Sequence, residues 1–291
     1  MDASDLRVFE AVARLGGMSR AAEALHTVQS NVTARIRALE ASLGVVLFER
    51  HSRGTDLTDA GRRLLPYAQR VAALLAEAAQ AARDDGRPAG SLTIGSLETT
   101  VALRLSHRLA AFARAHPAVD LVLRTGTTCE LLDEVLAGRL DGAFVCGPVE
   151  HPELTAETMF QEELAVIGPP GLGDLGDIGD ARIVVLRSGC SYRQRLEEVL
   201  ARRGIPAPRR LEFGTIEALI GCAAAGLGIT LLPITLVGTA VREGRVAALR
   251  LPPEESLVAT VFVRRIDRYA SSALAAFLDT MRAEEMAQAA D

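Results

Sequence analysis

Hydrophobic positions in the first eighty residues recur at helical spacing, and from about residue 90 they gather into short runs separated by helical patterns. Leu6, Phe9 and Val12/Ala13 mark one face of a first helix, with Ser4 as its expected cap and Gly16–Gly17 as its stop. "SRAAEALH" reads as a short alanine-rich second helix capped by Ser19. Thr27 is expected to cap a third. Within it Val32, Ile36, Leu39 and Leu43 fall at i, i+4, i+7 and i+11, one apolar stripe that Gly44 ends. The strand "VVLFER", a tip with Arg50, His51, Arg53 and Gly54, and a short return predict a hairpin. Thr58 then caps a long helix to about Arg83, with Leu64, Ala68, Val71, Leu75, Ala78 and Ala82 at a and d positions that suit a close dimer or a core. Pro66 is expected to kink that helix or mark its effective start, and "DDGRPAGS" (Asp84 to Ser91) reads as a linker.

The remaining two hundred residues alternate strands and helices. Strands are expected at 92–95, 121–123, 142–146, 164–168, 183–186, 211–213, 229–233 and 260–265, with helices around Leu105–Phe112 and over 129–137, 192–203 and 216–225. This is an α/β pattern with parallel pairings. Ala218 to Val241 holds 24 residues without a charge, long enough to span a bilayer. Gly221, Gly226, Gly228, Pro233 and Gly238 break it, so it reads as helix, tight turn and buried strand.

The third helix raises the functional question, because its second face has no partner in its own fold. Ser30, Asn31, Ala34 and Arg37 point away from the stripe, with Thr33 and Arg35 on its flanks. Two short helices joined by a tight turn follow the helix-turn-helix plan, whose second helix reads the DNA major groove from its N-terminal residues. Here those are Gln29, Ser30, Asn31 and Thr33, followed by Arg35 and Arg37, with Ser19 on the preceding helix and Arg53 at the hairpin tip. Amides pair with adenine edges, Arg with guanine or phosphate, and an Arg at a wing tip suits a minor groove. The net charge of −5 speaks weakly against nucleic acid, but charge is not evenly spread. Residues 1–66 hold nine Arg against eight acidic residues and the rest 23 against 29, and no acidic residue lies between Glu23 and Glu40.

At this point "QSNVTARIRALEASLGVVLFERHSRGTDLTDAGRRLLPYAQRV" resembles the signature of LysR-type transcriptional regulators: a winged helix-turn-helix, the "LGVxLFER" segment and the "LTxAG" start of a linker helix. The family usually has Pro where Ser30 stands and Ser where Thr33 stands, and often a basic residue at Ala34. The resemblance implies an N-terminal winged helix-turn-helix over 1–58, a linker (dimerisation) helix and hinge over 59–90, and an effector-binding domain over 91–291. That domain is implied to be periplasmic-binding-protein-like, with lobe I about 91–162 and 266–291, lobe II about 163–265, and hinge crossings near Glu163 and Arg265. It further implies double-stranded operator DNA as partner, a homodimer or homotetramer, RNA polymerase as a partner open to it, and a small-molecule effector whose binding shifts lobe closure.

Enzyme chemistry finds no purchase. "GSLETT" is not a dinucleotide turn, no phosphate-binding loop with GK[ST] occurs, and "RSGCS" is not a nucleophile elbow. Five His and four scattered Cys give no metal spacing, and "GDLGDIGD" (173–180) lacks the EF-hand pattern. The expectation is no cofactor and no metal. Hydroxyl-rich turns follow three strands: Ser96, Thr99 and Thr100; Thr127 and Thr128; Ser188 and Ser191 with Arg187 beside them. Each hydroxyl is singly a plain helix cap, yet their gathering at strand carboxyl ends favours a site for an anion or carboxylate. The family's effector loops map onto Ser96/Thr99/Thr100, Thr128 and Arg187–Tyr192, with Cys190 among them and Phe213 and Thr230 as cleft floor. A redox-sensing regulator is the alternative, because Cys190 sits where peroxide-sensing members keep a reactive cysteine; their partner position, nine residues on, is Val199 here. The acidic N-terminus carries no signal-peptide pattern, so the expectation is a cytoplasmic protein with no membrane partner.

Overall fold

The computed structural model describes residues 1–51, 54–175, 182–186, 189–205 and 209–288. These fall into two compact units, Met1–Asp84 with Ala137–Arg139, and Asp85–Leu136 with Leu140 onward.

The first unit holds α1 (Ala3–Leu15), α2 (Met18–Ala24), α3 (Gln29–Leu43), β1 (Phe48–His51), β2 (Gly54–Leu57) and α4 (Asp59–Arg83). Its core is the predicted stripes brought together: Leu6, Phe9 and Val12 of α1, Ala21 and Ala22 of α2, Val32, Ile36 and Leu39 of α3, then Leu47, Phe48 and Ala68. Leu43, the last residue of the stripe, reaches the surface instead. Three expected caps are corrected. Asp2, not Ser4, caps α1, because Asp2 and Asp5 accept each other's backbone N–H at 2.8 and 3.1 Å and set negative charge on the helix start. Gly17 precedes α2, so Ser19 lies inside its first turn. Val28 rather than Thr27 is the N-cap of α3, and the Thr27 hydroxyl accepts from Asn31 Nδ2 at 3.0 Å. Gly16 and Gly44 do end their helices, both in the left-handed region.

The "LTxAG" stretch has a mechanical meaning here. Thr58 Oγ1 accepts from the Gly61 N–H at 3.0 Å and donates to the Val46 carbonyl at 2.8 Å, so one hydroxyl caps α4 and ties it to the hairpin. Glu40 closes the other side by accepting from the Leu47 and Phe48 N–H groups at 2.8 and 3.3 Å. Because this cap fixes the start of α4, Pro66 does not; the helix runs through it to Arg83.

In the second unit β3 (Gly90–Ser96) leads through α5 (Glu98–Thr100), a π-type turn at Val101–Leu105 and α6 (Ser106–Ala115) to β4 (Val119–Thr125); α7 (Thr128–Leu136) leads to β5 (Gly142–Cys146). β3 runs parallel to both β4 and β5, the handiwork of helical crossovers. A 15-residue strand, β6 (Leu154–Gly168), then passes into a second lobe of β7 (Arg182–Leu186), α8 (Ser191–Arg202), β8 (Arg209–Phe213), α9 (Ile216–Ala224), β9 (Thr230–Pro233), α10 (Ile234–Arg242), β10 (Ala247–Arg250) and α11 (Pro253–Ser256). β11 (Leu257–Arg265) returns to the first lobe and α12 (Ser272–Gln288) packs on it.

β11 pairs antiparallel along its whole length with Leu154–Glu163 of β6, from Glu163↔Leu257 to Leu154↔Arg265, and the two strands join the lobes as one continuous sheet. The register shifts opposite Thr260 and Val261, where Met159 is the extra residue on β6, beside the point at which β11 starts to pair with β5. Arg265, expected at the hinge, sits inside the first lobe, where it bonds the Leu136 carbonyl at 2.9 Å and Asp267 at 2.7 Å. The uncharged run Ala218–Val241 is helix, turn and buried strand, followed by a helix, α10, that the pattern did not predict. No described helix is long and apolar enough to cross a membrane.

Candidate functional site

Helix α3 keeps a polar face in solvent. Gln29, Ser30, Asn31, Ala34 and Arg37 are exposed, while Thr33 and Arg35 are half-buried on the flanks, as the periodicity requires. Two side-chain bonds fix the leading turn: Ser19 Oγ donates to Gln29 Oε1 at 3.0 Å, linking α2 to α3, and Asn31 is held by Thr27. Arg35 is engaged elsewhere, donating to Ser4 Oγ at 2.8 Å and Asp5 Oδ1 at 3.3 Å, so it pins α3 to α1. The face thus offers amides, hydroxyls and Arg37 with no carboxylate among them. Arg53 lies outside the described residues.

In the second unit the starts of α5, α7 and α8 meet around a cavity of about 70 Å³, lined by Leu97, Glu98, Thr99, Thr125, Gly126, Thr127, Thr128, Cys146, Leu186, Cys190, Ser191, Tyr192 and Gly214. Thr128, at the first turn of α7, accepts from Ser191 Oγ of the opposite lobe at 3.0 Å and from the Cys146 N–H at 3.3 Å. Thr127 donates both its N–H and its hydroxyl to Glu130, at 2.8 and 3.0 Å, so α7 carries its own cap. Helix α8 does not: its N-cap, Cys190, makes no side-chain cap bond, and its first-turn residues Ser191 and Tyr192 face the cavity. Uncapped N–H groups at a helix start favour an anion.

Behind the cavity Tyr192 donates its hydroxyl to Glu162 Oε2 at 3.1 Å, and Glu162 Oε1 faces Arg104 Nε at 3.8 Å, an ion pair without a hydrogen bond. Burial pushes Glu162 above the usual carboxylate range, against the Tyr192 hydrogen bond and Arg104. Burial also holds Tyr192 well above its ordinary value. The two thiols follow suit: burial pushes Cys146 up to about 11 and raises Cys190 despite Arg193. Both shifts act against the thiolate form, which is the reactive one.

The family description "LysR substrate binding domain" matches residues 85–285, and "Bacterial regulatory helix-turn-helix protein, lysR family" matches residues 3–62. The chain belongs to the LysR family. It is a transcriptional regulator with a helix-turn-helix DNA-binding domain and an effector-binding domain, not an enzyme. Among its relatives are the uncharacterized HTH-type transcriptional regulator YusT of Bacillus subtilis, 46% identical over 96% of this chain and 95% of that one, and the HTH-type transcriptional regulator GltR of the same organism, 41% identical over 95% of each. The crystal structure of full-length CbnR complexed with its target DNA is 27% identical, with a TM-score of 0.65 over 97% of this chain and 99% of that one.

For this LysR-family chain, the residues expected at the effector site divide. Thr99, Thr128, Cys190 and Ser191 line the cavity together. Ser96 is buried and bonds the Leu97 carbonyl, Thr100 is buried with its hydroxyl unpartnered among the described residues, Thr230 faces a smaller adjoining space with Cys190 and Tyr192, and Phe213 packs in the core of the second lobe. Arg187 and Ser188, and most of "GDLGDIGD", lie outside the described residues. Cys146 and Glu162 were not anticipated. Cys146 ends a strand at its carboxyl side, which is the signal that was available; Glu162 gave none.

Proposed function

We propose that the chain binds duplex operator DNA through the exposed face of α3, as a homodimer or a homotetramer, and that a small carboxylate-bearing metabolite in the α5–α7–α8 cavity sets its activity. Gln29, Ser30, Asn31 and Thr33 address base edges, Arg37 meets phosphate, and Ser19 and Arg35 hold the helix in place. The uncapped start of α8 carries the effector reading, because Ser191 already reaches across to Thr128 and a carboxylate there draws bonds from both lobes. CbnR, solved with its target DNA, supports the DNA partner by likeness. The cavity, of the order of a few water molecules, suits a small ligand.

The redox alternative is disfavoured by the burial of Cys190, which works against its thiolate, and by Val199, a fully packed core residue where a partner thiol would be needed.

The test is a reporter driven by the intergenic DNA that the purified protein shifts. Thr128→Val and Ser191→Ala are expected to keep operator affinity and to need at least about tenfold more inducer, since charge-assisted bonds contribute ~1.5–3 kcal/mol each. Cys190→Ser should leave any response to peroxide unaltered. Normal induction in both hydroxyl variants would reduce these groups to helix caps, and a peroxide response lost with Cys190 would restore the redox reading.

A further inference from the structure

We propose that Val28 reads a thymine methyl group in the major groove and so helps to choose the operator sequence; this rests on the DNA-reading role given to α3. The position is an anomaly on folding grounds. Val28 is the N-cap of α3, where Ser, Thr, Asn and Asp are strongly preferred and Val is among the poorest choices. It makes no cap bond, and the residue is 65% exposed. It neither finishes the helix nor fills the core.

Its surroundings say what it meets. Val28 stands at the end of the helix from which a recognition helix addresses bases, directly before the exposed Gln29, Ser30 and Asn31. Those three offer hydrogen bonds; Val28 offers only methyl groups. The apolar feature of a base edge in the major groove is the C5-methyl of thymine, and no other base presents one there. A phosphate contact is closed to a side chain without a donor. A protein partner would need a continuous apolar patch, but the exposed Val45 and Val46 follow the far end of α3, about 22 Å along its 15 residues. The turn holds its shape without a cap from residue 28, because Thr27 bonds Asn31 and Ser19 bonds Gln29.

The experiment removes the methyl from either side. The full chain selects sequences from a random duplex library, and each thymine of the selected site is replaced in turn by deoxyuridine, which lacks only the methyl. Affinities are measured for the wild type, Val28→Ala and Val28→Ser; Ala is no better a cap than Val and Ser is a good one, so folding is covered in both directions. At one thymine per half-site the wild type should lose about fourfold, the worth of one buried methyl. Val28→Ser should bind the thymine duplex about as weakly and lose nothing more on replacement, and Val28→Ala, which keeps one methyl, should lose less than the wild type. A wild type indifferent to every replacement, or variants that lose as much as it does, overturns the proposal. A library that enriches no sequence overturns the DNA-reading role itself and the proposal with it, so the two failures are told apart.

Discussion

Glu162 sits on the strand that joins the lobes, in contact with a residue that lines the cavity and opposite one from the π-type turn. Its carboxylate is buried, and one oxygen has no hydrogen-bond donor among the described residues. A carboxyl whose folded pKa is raised holds its proton more tightly in the folded state. The stability it contributes is fully present below its ordinary value of 4.5 and is lost as pH climbs through the raised folded value. Glu162→Gln keeps an acceptor for Tyr192 and deletes the titration. Its melting temperature relative to the wild type should therefore rise between about pH 4 and pH 8, as calorimetry would show. A difference that stays flat or falls with pH would mean that Arg104 already compensates the charge. The residue scale also explains why the cavity was half legible. Thr99 and Thr100 are consecutive on a helix and about 100° apart, so only one can face the cleft, and composition does not say which. Thr128 and Ser191 were legible because each opens a helix just after a strand end.

Among the elements, those with a helical apolar stripe or a short continuous apolar run were the easiest to read. The stripes of α1 and α3 and the apolar runs of β3, β5 and β7 lie where the pattern put them. The first two thirds of β6, "LTAETMFQEE", did not read as a strand, because it carries polar side chains that the fold satisfies from far away: Glu157 pairs with Arg282 at 2.7 Å and Glu162 with Tyr192. β10 is a four-residue strand at the end of the sheet with no fully buried residue, too short to leave a period. Caps were misread for a different reason: several Ser, Thr and Asp stand within each boundary, and the backbone picks one. The "LTxAG" boundary carries its own test. A Cβ on Gly61 would run into the Leu47 carbonyl and the Leu57 side chain, so α4 can lie this close to the hairpin only with glycine there. Gly61→Ala should destabilise the first unit by about 1–3 kcal/mol despite alanine's better helix propensity, read as a lower melting temperature. A variant as stable as the wild type would show that the hairpin gives way easily.

On the scale of the whole molecule, α4 is longer than its own fold needs. Leu64, Leu65, Ala68 and Val71 pack on the core of the first unit. Beyond them Leu74 and Leu75 are 63% and 52% exposed, as is Tyr67 at 65%, on a helix that runs on to Arg83. Such apolar side chains on a long helix suit a second copy of the same helix, with the small residues Ala78 and Ala82 allowing close approach. Two copies then place two reading helices on two half-sites, and affinity for the whole operator exceeds that for one half by about 10²–10⁴-fold through linkage alone. Leu74→Glu with Leu75→Glu removes that surface without touching the core of the first unit. Circular dichroism melts should therefore change little, sedimentation should report a monomer, and operator affinity should fall by about that factor while half-site affinity stays put. If the double variant still sediments as the wild type does, the seam is elsewhere and these leucines serve the single chain. If it is monomeric yet binds the full operator undiminished, one copy suffices for reading, and the dimer arrangement proposed for the DNA complex fails with it.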